Sequence, residues 1–297
     1  MWFPLTLLTA FLWALINVIN SGITKRYTKD PSVILWVQVC FSMIFLTMIG
    51  FLTHPDPRMS LVFLPVGVIT YLADLLFFWI CSRLDISVMN AAWCLQSVIL
   101  SAAGIFLFHE LWTPVTFLGA VLVILGVLLL SLRASTHSFG KTALFIIPLA
   151  LLYIPNALAR KVALTAGMPI LPIFFWLLLC RDGLAFTVPW FLPSERRKIM
   201  RTLPTLPLSF FVTCAIPITL FFTVEYVTLR ALAIGPLSIV SVVGNVQPFF
   251  VLGLAWLLHR HGHHLAPNEI VTKESIRIKA LSFFIAFIGL ALLALSQ

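Results

Sequence analysis

Four ionisable side chains lie inside long apolar stretches of this sequence, where charges are rarely found. They are Asp74, Arg181, Asp182 and Glu225. A charge at the centre of a membrane-spanning helix costs about 2.5–3.5 kcal/mol on insertion scales, so such residues predict a functional site. A carboxylate there can bind a proton or a cationic group, and a guanidinium can bind a carboxylate through two hydrogen bonds. We expect Asp74, Glu225 and Asp182 to bind a coupling proton or ion.

Structural roles for the same residues are the alternative. Glu225 could form an ion pair near Arg230, and Asp74 could hold helices together. Neighbours on a helix point about 100° apart, so Arg181 and Asp182 are not expected to pair with each other. Arg181 then needs a substrate carboxylate, Asp74 or Glu225 as its partner. A helix broken at its prolines would instead let Arg181 extend to the membrane surface.

Polar and aromatic side chains at helical spacing add candidate substrate contacts. Amide groups can form hydrogen bonds with a substrate, and aromatic rings can stack on it, although small and polar stripes also favour close helix packing. The complete set of predicted substrate-binding residues is Arg181, Asp74, Glu225, Asn17, Asn90, Asn156, Asn245, Gln96, Gln247, Trp13 and Tyr153.

The composition requires a membrane environment for these residues. Of the 297 residues, 61% are hydrophobic and only 10% are charged, whereas soluble domains carry about 25% charged residues. A water-soluble fold and a disordered chain are both excluded. The net charge of +9 comes from residues in short gaps between apolar runs, which does not indicate a nucleic-acid surface.

Ten apolar runs are each close to the length of about 20 residues that spans a bilayer. The sequence therefore predicts an all-α membrane protein with ten transmembrane helices. The runs are 2–22, 32–53, 61–81, 87–108, 112–132, 142–163, 168–192, 205–229, 235–258 and 279–296.

An internal repeat relates the first five runs to the last five. Two offsets and one insertion align Trp13 with Tyr153, Asp74 with Glu225, Gln96 with Gln247, Gly119 with Ser282, and Gly126 with Gly289. Low identity leaves chance agreement as the alternative. An odd number of helices per repeat inverts the second repeat relative to the first, as in many transporters. We therefore expect two inverted five-helix repeats, 1–136 and 137–297.

The fourth and fifth runs carry a loose motif. It consists of Ala91-Ala92, Ser97, His109-Glu110, and Gly119 with Gly126. This arrangement resembles the ten-helix EamA-like branch of the drug/metabolite transporter superfamily, which has a Pro where Ser97 stands and Gly-Glu at 109–110. The second half keeps the Pro as Pro248 but has His261 in place of the Glu. The resemblance covers nearly the full chain and implies a secondary transporter of small metabolites.

These features predict a gradient-driven transporter that moves a small polar or amphipathic metabolite, such as an amino acid or related zwitterion, by alternating access. Arg181 would bind the substrate carboxylate, while Asp74 and Glu225 would bind its cationic group or a proton. The expected partners are a small-molecule substrate and the lipid bilayer, with no nucleic acid, and the chain is expected to be a monomer. We expect no cofactor and no resident metal.

Other function classes stay as alternatives. A non-transporting receptor or assembly protein would lack a polar central cavity. An intramembrane enzyme is less favoured, because the sequence contains no HExxH or GxSxG motif. The histidine-rich run 259–264 could bind a metal, although a basic loop at the membrane surface is favoured.

Basic residues are distributed unequally between the gaps. When Arg160 and Lys161 at the end of the sixth run and Lys279 at the start of the tenth are counted with the adjacent gaps, odd-numbered gaps contain 14 Lys and Arg residues and even-numbered gaps contain 4. By the positive-inside rule the odd gaps face the cytoplasm, which places both termini outside a plasma membrane or bacterial inner membrane. The family resemblance implies cytoplasmic termini instead.

Overall fold

A computed structural model of the protein describes residues 1–82, 86–134, 145–260 and 273–295, without the side chains of 86–92, 130–134, 259–260 and 273–279. The described residues are 89% helical and contain no strand. The α-helices in these residues are α1 Trp2–Arg26, α2 Pro31–Thr53, α3 Met59–Cys81, α4 Ile86–Phe108, α5 Pro114–Ala134, α6 Ile146–Thr165, α7 Ile170–Phe191, α8 Pro193–Thr202, α9 Leu208–Ile234, α10 Leu237–Gly244, α11 Gln247–Arg260 and α12 Lys273–Leu295.

The predicted membrane architecture is confirmed. Seven helical segments in the described residues are long and apolar enough to cross a bilayer, and three shorter apolar segments correspond to α4, α5 and α12. Their exposed surface is rich in large apolar side chains, including Phe51 and Leu52, which are 73% and 75% exposed. Such a surface is suited to lipid. The chain is an all-α integral membrane protein with about ten spans.

Two elements differ from the sequence prediction. Residues 193–202 were expected in a polar gap but form the helix α8. Pro193 suits the first position of a helix, and the negative charge of Glu195 in the first turn interacts favourably with the helix dipole. The ninth span, expected to be continuous over 235–258, is interrupted after Gly244, so that α10 and α11 are separate helices. Pro248 lacks the N–H that would bond the carbonyl of Gly244, which accounts for the interruption.

Helix contacts made by the first half of the chain have counterparts made by the second half. α2 packs on α7 and α5 on α12, while α1 packs on α9 and α6 on α3. In the predicted repeat, α1 corresponds to α6, α2 to α7, α3 to α9, and α5 to α12. The contact of α1 with α9 therefore corresponds to that of α6 with α3, and the other two contacts each correspond to themselves.

The crossing of α5 and α12 depends on glycines. A Cβ added at Gly119 would lie 3.0 Å from the carbonyl oxygen of Gly289, and one added at Gly126 would lie 2.7 Å from that of Ser282. Small residues let helix backbones approach this closely. The repeat alignment pairs Gly119 with Ser282 and Gly126 with Gly289. Under this alignment the contact between Gly119 and Gly289 corresponds to the contact between Ser282 and Gly126.

We expect Gly126→Ala to lower the free energy of unfolding in detergent by about 1–3 kcal/mol, because the new methyl group would push against backbone in a packed crossing. Gly253→Ala is the matched control, since a Cβ there meets nothing within 4 Å. Equal stabilities of the two variants would contradict the close crossing.

Candidate functional site

A cavity of about 310 Å³ lies in the centre of the helix bundle. Residues from α1, α2, α3, α4, α6, α7, α9, α10 and α11 line it. Its wall includes the aromatic side chains of Trp13, Phe77, Trp93, Tyr153 and Phe221. Concave sites with apolar walls and a few polar groups are typical of small-molecule binding.

Asp74 on α3 is held by two side chains from the second half of the chain. Tyr153 on α6 donates a hydrogen bond of 2.5 Å to its Oδ1, and the Nε of Arg181 on α7 lies 3.5 Å from its Oδ2. The Asp74 side chain keeps 15% of its surface exposed. It is therefore in contact with the cavity while its orientation is fixed.

Arg181 also contacts the adjacent Asp182, contrary to the expectation that helix neighbours do not pair. Its Nε lies 2.5 Å from Oδ1 of Asp182, and its Cζ lies over the ring of Phe221, 4.6 Å from the ring centroid. Asp182 is fully buried and also accepts a hydrogen bond from Ser42. Because α7 is continuous through this point, the alternative of a broken seventh helix is wrong.

Glu225 on α9 pairs with Arg160 on α6, with 2.7 Å between Oε2 and Nη1. The alternative interpretation of Glu225, a cap or ion pair near Arg230, was wrong about the partner, because Arg230 donates hydrogen bonds to the hydroxyl of Tyr226. Arg160 was missed because it lies close to the end of its apolar run, where a basic residue indicates a helix end near the membrane surface. Its spacing from Asn156 and Tyr153, on the same face of one helix, was the available signal.

Charges at the cavity do not balance. Among the described side chains that line it, Asp74, Asp182 and Glu225 are acidic, whereas Arg160 and Arg181 are basic. The formal sum is one negative charge when all five are ionised. Such an excess in a low-dielectric site favours a bound proton or cationic group.

The structure brings together almost all the residues that the sequence selected. The cavity is lined by Arg181, Asp74, Glu225, Asp182, Asn17, Asn156, Asn245, Gln96, Gln247, Trp13 and Tyr153. The side chain of Asn90 and the histidine-rich run 261–264 lie outside the described residues. The described residues contain no cluster of three or more potential metal ligands.

Several cavity amides already have hydrogen-bond partners, and others do not. Asn156 donates to Thr70 at 3.1 Å, and Asn20 accepts from Gln38 at 2.8 Å. By contrast, the buried donors Asn245 Nδ2 and Gln247 Nε2 make no hydrogen bond in the described part of the chain.

The link between α9 and α10, residues 235–236, lies between two side chains of opposite charge that bind the adjoining backbone. Glu110 accepts hydrogen bonds from the backbone N–H groups of Leu237, at 2.5 Å, and Ser238, at 2.9 Å, as well as from the Ser238 hydroxyl. Lys161 donates to the carbonyl oxygens of Leu232, at 3.2 Å, and Gly235, at 2.8 Å. An anion thus lies at a helix N-terminus and a cation at a C-terminus, as the helix dipole favours.

We expect Glu110→Ala to destabilise the protein by about 1.5–3 kcal/mol, because these hydrogen bonds involve a charged acceptor. Glu110→Gln should cost less, since it keeps one acceptor oxygen. The measurement is chemical unfolding in detergent.

The control for this prediction is Glu195→Gln on α8. Glu195 is paired with Lys198 at 2.7 Å, and this hydrogen bond lowers the pKa of the Glu195 carboxyl. Pairs so accessible to solvent contribute about 0–1 kcal/mol. A loss in Glu110→Ala no larger than in this control would contradict the capping role.

Comparisons with known proteins agree with this architecture. The family model described as "EamA-like transporter family" matches residues 1–132. No curated protein matches the chain. Among 28 matching chains of solved structures, one described as "Crystal structure of protein" has a TM-score of 0.66 and 16% identity, and the match covers 98% of this chain and 96% of that one. At that identity the likeness shows the fold alone. Residues 1–132 are thus similar to the EamA-like transporter family, and the likeness in fold extends over nearly the whole chain.

Proposed function

We propose that this protein is a secondary transporter that moves a small polar or amphipathic zwitterion, such as an amino acid, through the central cavity. The observation that carries the proposal is the cavity itself, which combines three carboxylates and two guanidiniums with aromatic walls inside a membrane helix bundle. Buried charges are expensive in a membrane and are retained where they bind cargo or coupling ions. A receptor or assembly protein would have no need for them.

Alternating access between two inverted five-helix repeats, 1–136 and 137–297, is the proposed mechanism. The exchangeable helix contacts and the reciprocal glycine contacts between α5 and α12 support it. In such transporters one repeat rocks against the other around a central site. The sequence contains no ATP-binding P-loop motif, so an ion or substrate gradient would supply the energy.

Within this proposal the charged residues have distinct roles. Asp74 binds the cationic group of the substrate or a coupling proton, because it is partly exposed and adds the negative charge that Arg181 does not neutralise. Glu225 is the second candidate for proton binding and is held by Arg160. Trp13 and Tyr153 provide aromatic surface for an organic side chain.

The test begins with a thermal-shift screen of purified protein against amino acids, nucleosides and organic cations. The stabilising compound is then assayed for uptake into proteoliposomes under an imposed proton gradient. We expect the combined variant Arg181→Gln, Asp74→Asn and Glu225→Gln to lose uptake. The control Arg230→Gln removes a charge that pairs outside the cavity, with Tyr226. Uptake that survives in the triple variant would contradict the mechanism.

The charge distribution gives a prediction for orientation. Arg160 and Lys161 have protein partners within the bundle, so only Arg58 and Arg230 remain of the basic residues counted in the even gaps, against 14 in the odd gaps. We expect a reporter enzyme that works only outside the cytoplasm to be active when fused to Gln297. Activity of a cytoplasm-dependent reporter at the same position would instead support the orientation typical of the family and contradict the charge-based prediction.

A further inference from the structure

The interruption of the ninth span contains hydrogen-bond donors that lack partners. Asn245 is 4% exposed, and its Nδ2, like the Nε2 of Gln247, makes no hydrogen bond among the described residues. Both residues line the central cavity. A buried donor without an acceptor costs free energy, so an orphaned pair in a cavity wall indicates a ligand that supplies the acceptor.

A helix also begins at the interruption. α11 begins at Gln247, and a helix N-terminus carries a partial positive charge that favours anions. The backbone N–H groups of Asn245, Val246 and Phe249 already bond carbonyl oxygens of the turn, so the side-chain amides supply the donors for a ligand. The space is open, because a Cβ added at Gly244 would meet nothing within 4 Å. Discontinuous helices in transporters present their N-termini to anionic substrate groups in this manner.

Arg181, the residue expected from sequence to bind the substrate carboxylate, is poorly suited to that task. Its Nε is already shared between Asp182 and Asp74. A third carboxylate approaching the same guanidinium would be repelled by the two already present.

We infer that the carboxylate of a zwitterionic substrate binds at the interruption between α10 and α11, against the amides of Asn245 and Gln247, while its ammonium faces Asp74. This inference rests on the proposed function and assigns the two ends of the substrate to the two halves of the chain. The substrate class is an α-amino acid or a compound with the same pair of charged groups.

Binding of matched probes to detergent-purified protein, measured by calorimetry, tests the inference. The probes are phenylalanine, its carboxamide, phenethylamine and 3-phenylpropanoate, which share an aromatic group that fits walls containing Trp13 and Phe221. We expect phenylalanine to bind at least about tenfold more tightly than phenethylamine, as a hydrogen bond to a charged group predicts. The carboxamide should fall between them.

Asn245→Asp is the main variant, because it keeps the size of the side chain and replaces a donor with an acceptor that repels carboxylate. We expect it to reduce the preference for phenylalanine over phenethylamine by about tenfold or more. Asn245→Leu removes the donor without adding charge and should also reduce the preference for phenylalanine over phenethylamine. Arg230→Gln is the control, since Arg230 is not part of the cavity wall and pairs with Tyr226, and the preference should not change.

The outcomes separate the inference from the proposed function. If Asn245→Asp and Asn245→Leu retain the preference while the probes bind and are transported, the inference is overturned and the transporter proposal stands. Loss of the preference in Arg181→Met but not in the Asn245 variants would assign the carboxylate to Arg181 and also overturn it. Absence of binding and of transport for every probe would overturn the zwitterion class in both proposals.

Discussion

Replacing Arg181 by Met should lower the free energy of unfolding by about 3–5 kcal/mol, the usual cost of removing one partner from a buried ion pair. Asp182 has no exposed surface, and its Oδ1 lies 2.5 Å from the Arg181 Nε. Without the guanidinium it would keep the Ser42 hydroxyl but no neutralising charge. Chemical unfolding in detergent measures the loss.

A second substitution distinguishes this structural effect from a transport effect. In Arg181→Met with Asp182→Asn, one charge of each sign is removed, so the formal charge of the cavity is the same as in the wild type. We expect most of the stability to return, since Asn can still accept from Ser42, while transport stays low because Asp74 has lost the group that orients it. Failure of the second substitution to restore stability would contradict the assigned pair.

The second large effect is expected for Asp74→Asn. Transport should fall by about 100-fold, which corresponds to losing a buried charge contact of about 2.7 kcal/mol. The fold should be little affected, because Asn still accepts from Tyr153 and Arg181 keeps Asp182 as its partner. Uptake at fixed substrate concentration and unfolding in detergent are measured on the same preparation.

Glu225→Gln provides the comparison for Asp74→Asn. It removes a carboxylate from the same cavity but leaves Arg160 without its 2.7 Å partner, so stability should fall together with transport. The two variants would be indistinguishable if the carboxylates served only to hold helices together. Normal uptake in Asp74→Asn would exclude Asp74 from the transport site.

The spans were predictable because the bilayer requires long apolar runs. The same criterion could not find α8, because a polar surface helix with Arg196 and Arg197 exposed has no apolar run. The same criterion could not predict the interruption after Gly244, because the residues on both sides of it are apolar. Pro248 was visible in the sequence, but Pro155 lies inside α6, which continues through it, so a proline alone does not locate an interruption.

The site residues were predictable as a set, and their pairings were not. Charges in apolar runs identified Asp74, Arg181, Asp182 and Glu225, because burial makes such residues costly wherever they lie. Arg160 was hidden by its position near a helix end. The Arg181 guanidinium pairs with Asp182 while it lies over the ring of Phe221 on α9. Residue spacing does not predict such a tertiary contact.

The link between α9 and α10 has a kinetic consequence. Glu110, in the connection between α4 and α5, and Lys161 on α6 bind its backbone from two sides, and charge-assisted hydrogen bonds weaken steeply once their geometry is disturbed. A small displacement of α10 would strain all of these bonds together, and only full release would relieve them. Any movement of α10 away from this position therefore requires these hydrogen bonds to break.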